Sequence, residues 1–147
     1  MRKLRKLLDL SWNERAVLCR AALLLLAAEI GLRLIPFRTL VEWVQGRRIP
    51  RFATTSPSPE RIARLVETAA RNCWLRPTCL RQSLVLCALL RERGLPGRLA
   101  IGTNGPREGF QAHAWVVLNG KTLGSQATAG YQELVTFDSR SAGAEIA

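Results

Sequence analysis

The chain has 147 residues and is 48% apolar, enough to bury one core and too apolar for a disordered chain. Twenty-two Lys and Arg against eleven Asp and Glu give a formal charge of +11, a field that attracts nucleic acid, a membrane surface or an acidic peptide. Nucleic acid is set aside, because the arginines are scattered and no aromatic–basic interleaving, Cys/His finger or helix-turn-helix pattern accompanies them.

The N-terminal stretch is a basic stub with Leu4, Leu7 and Leu8. Ser11 followed by Glu14 has the spacing of a capping box and predicts a helix from about Trp12 to Ile35, stopped by Pro36. Its centre, residues 21–28, is apolar all round, but Arg20, Glu29 and Arg33 bracket it. A membrane span needs about 18 or more apolar residues. A helix buried against the domain or a partner is therefore expected, not a membrane span. A second helix is expected from Phe37 to about Gly46, with Leu40, Val41 and Val44 as its stripe. Arg47–Pro59 reads as a linker rich in Pro, Ser and Thr, which divides the chain into a helical extension over 1–54 and a domain over 55–147.

Ser58 and Pro59 open the next helix, with Ile62, Leu65, Val66 and Ala69 at helical spacing to about Asn72. Pro77 and Thr78 precede a helix expected over Cys79 to Arg93. Thr78 is placed to cap it, Leu80, Leu84, Ala88 and Leu89 form one apolar face, and Gly94 ends it. Strands are expected over 97–102 and 110–118, with a loop over 103–109. Asn119-Gly120 is a two-residue hairpin turn, and Lys121 to about Gln126 is the returning strand. A short strand is expected within Glu133–Phe137, and the last ten residues read as frayed.

Four cysteines, Cys19, Cys73, Cys79 and Cys87, follow no secretory signal peptide, so reduced thiols and a cytoplasmic location are expected. A thiol is a nucleophile as thiolate, which a helix N-terminus or an adjacent imidazolium favours. Only Cys79 stands at a predicted helix start. The first-turn amides, such as that of Leu80, could also serve an oxyanion. The single histidine, His113, shares a strand face with Gln111, Trp115 and Val117, the face expected to meet the helix start. Counting the hairpin back from Asn119-Gly120 pairs Leu118 with Lys121 and Val117 with Thr122. Continued, it sets Trp115 opposite Gly124 and His113 opposite Gln126. Gln126 is then the amide that would orient the imidazole, and a one-residue bulge would put Ser125 there instead. No C-x-x-C pair points to a metal site, and neither metal nor cofactor is expected.

Cys79-Leu80, Ser83-Leu84, Leu89-Leu90, Gly94-Leu95-Pro96, Ile101-Gly102, Ala112-His113-Ala114-Trp115-Val116 and Asn119-Gly120 together resemble the transglutaminase-like B protein of lasso-peptide biosynthesis, in its stand-alone leader-peptidase form. The likeness covers about residues 58–137. It implies an α+β fold of the transglutaminase and papain-like kind, with a Cys-bearing helix packed on a small antiparallel sheet. It also implies a thiol protease that removes the leader from a ribosomally made precursor peptide. A separate small leader-recognition protein would deliver that precursor, and the lasso cyclase is a further candidate partner. Cys79 would be the nucleophile and His113 the general base. The Asp usual on the strand after the His strand is missing from residues 121–126, and Asp138, farther along, is not assigned to its place, so the third residue stays open. Two other classes stay open: a non-catalytic peptide-binding scaffold of the same fold, and an acyltransferase in which an amine resolves the thioester.

Overall fold

A computed structural model describes residues 10–46, 57–74, 77–104, 111–124, 130–137 and 144–146 of the chain. The N-terminal stub, most of the 47–59 linker, Ser125, Gln126 and Asp138 lie outside these residues. Among the described residues four helices precede the sheet: α1 (Trp12–Leu34), α2 (Phe37–Gly46), α3 (Pro59–Asn72) and α4 (Cys79–Arg91).

Local chemistry sets most of the helix ends. The Ser11 hydroxyl accepts from the Glu14 N–H at 3.3 Å, and the Glu14 carboxylate accepts from the Ser11 N–H at 2.9 Å, which completes the capping box. Arg61, from α3, holds the Glu14 carboxyl below its usual range through a side-chain hydrogen bond. Ile35, before Pro36, is extended and cannot prolong α1. Ser58 accepts from the Arg61 N–H at the start of α3. Helix α4 ends two residues sooner than the sequence predicts, because Glu92–Gly94 tighten into a turn. Leu95 N–H reaches Leu90 O and Gly94 N–H reaches Arg91 O, with Gly94 at φ +73. This is a Schellman stop, and it uses the left-handed conformation that glycine adopts without strain.

The sheet has five antiparallel strands in the order β3-β2-β1-β4-β5: β1 (Arg98–Asn104), β2 (Ala112–Leu118), β3 (Lys121–Leu123), β4 (Tyr131–Phe137) and β5 (Ala144–Ile146). The class is α+β, as expected. Three strand expectations are corrected. Thr103 and Asn104 belong to β1 and not to a loop, because Thr103 pairs with Ala112 and the Asn104 side chain accepts from the Gln111 N–H at 2.7 Å. Strand β4 begins at Tyr131, ahead of Glu133. Ala144–Ile146, expected to fray, pairs with Val135–Phe137. The hairpin is as expected: Asn119 and Gly120 both have positive φ, and Leu118–Lys121 and Val117–Thr122 pair.

The core lies between the helices and one face of the sheet. Leu25 from α1, Ile62 from α3, Leu89 and Leu90 from α4, Leu99 from β1 and Val116 from β2 are all fully buried in one cluster. Helix α4 is central and is buried on more than the single face predicted: Ser83 through Cys87, Leu89 and Leu90 are all buried. Two ion pairs bind it to α1. Arg20 donates to the buried Glu92 carboxylate at the end of α4, and Arg81 in the first turn meets buried Glu29 at 2.7 Å. The earlier α1 residue meets the later α4 residue, so the two helices run antiparallel. Burying carboxylates at 4% and 6% exposure is costly unless they are paired, which is why each faces a guanidinium. Among the described residues, no helix is long and apolar enough to cross a membrane.

Candidate active site

Cys79 is the first residue of α4 and is half-buried against the core. Pro77 precedes the helix, and its carbonyl accepts from the Gln82 side-chain amide at 2.9 Å. Thr78 stands at the N-cap in an extended conformation but makes no side-chain capping bond, contrary to the expectation for it. The cap it withholds leaves first-turn N–H groups without that acceptor. Such groups carry the positive end of the helix dipole and suit a developing oxyanion.

One turn on, buried Ser83 donates from Oγ to the carbonyl of Ala114 at 3.0 Å. Ala114 follows His113 in β2. Leu90 and Val116 both close on Gly97, where a Cβ would meet Leu90 at 2.9 Å and Val116 at 3.2 Å. Helix α4 therefore advances along β2 from Ala114 toward Val116. Cys79, one turn before Ser83, lies toward the opening end of β2, the end that carries His113.

His113 itself lies on the far face of its strand. Ala114, Val116 and Leu118 enter the core shared with α4. His113 and Trp115 alternate to the other side and stack, with centroids 6.0 Å apart and planes at 25°. The sequence predicts that this face meets the start of α4; the structure instead packs the Ala114 face on the helix, through the Ser83 bond to Ala114 and the shared core. Cys79 and His113 share no hydrogen bond, and the His113 Nε2 is buried without a partner among the described residues. Burial holds the imidazole below its ordinary pKa, because the charged form is the one that loses solvation. Ordered pairing of His113 on the β1 side is with Gly102. On the other side, the described β2–β3 ladder ends at Val116–Leu123, so the positions of Gln126 and Ser125 relative to His113 lie outside the described residues.

The remaining thiols differ in setting. Cys19 is exposed on α1, and Cys73 is half-buried at the end of α3. Cys87 is fully enclosed, and burial pushes its thiol up to about 12. It is the thiol least suited to nucleophilic work. No group of three or more His, Cys, Asp or Glu that could hold a metal occurs among the described residues.

Sequence reasoning missed Tyr131. Its ring lies 5.1 Å from that of His113 at 44°, and 6.5 Å from that of Trp115. Its hydroxyl donates to Gln111 Oε1 at 3.4 Å. Gly102 leaves room for this cluster, since a Cβ there would overlap the Trp115 ring and the Gln132 carbonyl. The sequence signals were slight: a lone tyrosine just after a glycine, and a glycine inside an apolar strand.

Residues 22–136 match the sequence profile of the transglutaminase-like superfamily. No curated protein and no solved structure matches the chain.

Proposed function

This chain belongs to the transglutaminase-like superfamily, which includes cysteine peptidases and acyltransferases, and from that premise we propose that it is a cysteine peptidase. Cys79 is its nucleophile and His113 its general base. Its substrate is a ribosomally made lasso-peptide precursor, from which it removes the leader in the cytoplasm. A small leader-recognition protein presents that precursor, and the lasso cyclase acts on the product. Gln126, by the hairpin count, is the orienting amide.

The observation that carries this reading is the bond from Ser83 to Ala114. It ties the turn after Cys79 to the residue after His113, at the end of β2 toward which the helix start points. In the first step His113 takes the Cys79 thiol proton, and the thiolate attacks the scissile carbonyl carbon while first-turn amides of α4 receive the oxyanion. The C–N bond breaks, His113 gives its proton to the leaving amine, and a thioester remains on Cys79. Water deprotonated by His113 then cleaves the thioester, which frees the acid and restores the thiol. A half-buried imidazole whose pKa burial lowers is in the neutral state needed to take up a proton.

The lack of a Cys79–His113 hydrogen bond among the described residues favours one competing reading, a scaffold that binds peptide without cutting it. Incubating the chain with a synthetic precursor and its recognition protein, and weighing the products, separates these readings. Two fragments whose masses sum to that of the precursor plus one water support the peptidase. Their persistence with Cys79→Ala or His113→Ala would refute the assignment, and an intact but bound precursor identifies the scaffold. A product joined to an added amine identifies the acyltransferase.

A further inference from the structure

We propose that Tyr131 is a positioning residue for His113, acting from two strands away across the gap that Gly102 leaves in β1. This rests on the reading of His113 as the base.

The sheet order places β1 between β2 and β4, so a side chain of β4 reaches His113 only by passing over β1. Gly102 is the β1 residue paired with His113, and it presents no side chain there. Glu133 pairs with Gly102 on the other side, and the register shifts between Ile101 and Gly102, one β4 residue being unpaired. The Trp115 ring lies over Gly102, and the Tyr131 ring meets both His113 and Trp115. The three rings contact one another pairwise, with centroids 5.1 to 6.5 Å apart, in tilted or stacked geometries that aromatic rings prefer.

The consequence for His113 is restriction. Trp115 is its neighbour on the same strand and turns with β2, so it cannot fix the imidazole against the rest of the sheet. Tyr131 can, because it is anchored separately. Asn104 pairs with Tyr131, the Asn104 side chain holds the Gln111 N–H, and the Tyr131 hydroxyl reaches Gln111 Oε1. The start of β2 and the start of β4 are thereby tied through the end of β1. The hydroxyl contact is long at 3.4 Å, so the ring face carries the function and the hydroxyl adds little. A base whose ring is free to rotate spends less time aimed at its thiol, and such misplacement lowers kcat more than KM.

Three measurements test this. His113 is the only histidine, so its Hε1 resonance needs no assignment. In the wild-type chain, nuclear Overhauser contacts between the Tyr131 ring and His113 are expected, and their absence in folded protein overturns the proposal without any variant. Tyr131→Leu should move the Hε1 resonance and its titration midpoint toward those of an exposed imidazole. It should lower kcat about tenfold and leave KM within about twofold, while Tyr131→Phe keeps wild-type values for all of these. An unmoved resonance in Tyr131→Leu, or a Phe variant that behaves as Leu does, refutes the role of the ring. The spectroscopic arm does not depend on peptidase activity. A wild-type chain that fails to cut the precursor, with the expected Overhauser contacts and the expected resonance shift in Tyr131→Leu, would sink the peptidase reading and keep the positioning one.

Discussion

Replacing Ser83 with alanine isolates the contact that joins the Cys79 helix to the His113 strand. Ser83 is 6% exposed, and its Oγ makes a 3.0 Å bond to the Ala114 carbonyl. Alanine keeps the Cβ and removes one oxygen, so no cavity larger than a hydroxyl opens and the packing term is small. What is lost is a buried neutral hydrogen bond, worth about 1 kcal/mol, or up to roughly 2 kcal/mol if the carbonyl is left unpaired. For a chain of this size that lowers the midpoint of thermal unfolding by roughly 2–6 °C. Circular dichroism melts of both proteins at one pH and salt concentration give the difference. Precursor cleavage by Ser83→Ala should fall several-fold while binding of the precursor is retained, because the helix start is less firmly held over β2. An unchanged midpoint together with unchanged cleavage would show that this bond neither stabilises the fold nor places Cys79. A loss well above 3 kcal/mol would show that Ser83 does more than its one bond.

Mass-mapped alkylation with iodoacetamide should label Cys79 faster than Cys73 and leave Cys87 unlabelled in folded protein near pH 8, since burial holds the Cys87 thiol at about 12. Equal rates for Cys79 and Cys73 would argue against a reactive nucleophile. The burial of His113 has a sign that stability can report. Its folded pKa lies below its ordinary 6.5, so the unfolded chain binds the extra proton between the two values. The stability due to the neutral ring is complete above pH 6.5 and declines as pH falls toward the folded pKa. A His113→Gln variant should therefore lose less stability over that interval than the wild type in parallel denaturant titrations, and identical losses would refute the effect. Gly102→Ala puts a methyl group into the Gln132 carbonyl and the Trp115 ring, and should cost roughly 1–3 kcal/mol and displace His113. Wild-type stability in that variant would mean that the aromatic cluster has slack.

Much of the architecture was written locally. Ser11 and Glu14 cap each other, and Gly94 takes the left-handed turn that ends α4. Asn119-Gly120 turns the hairpin with the expected partners. Each depends on residues within about five positions, where a propensity and a hydrogen bond settle the outcome. The position of Cys79 at a helix start was legible for the same reason. Thr78 was the local exception, because a capping residue type supplies a possible acceptor but its rotamer follows from the surrounding packing.

What the chain could not specify by pattern is how its distant parts meet. Ala112–Leu118 is apolar on both faces, so alternation told which residues share a side but not which side faces α4. Packing against α4 placed Ala114 and Val116 inside and sent His113 to Trp115 and Tyr131. The ion pairs of Arg20 with Glu92 and of Glu29 with Arg81 join segments far apart in sequence, and only buried carboxylates in the folded state require those partners. The sequence by itself determined the helix start that carries the thiol and the strand that carries the imidazole. The tertiary structure decided which face each presents, because that choice depends on which surfaces the whole chain can bury at once.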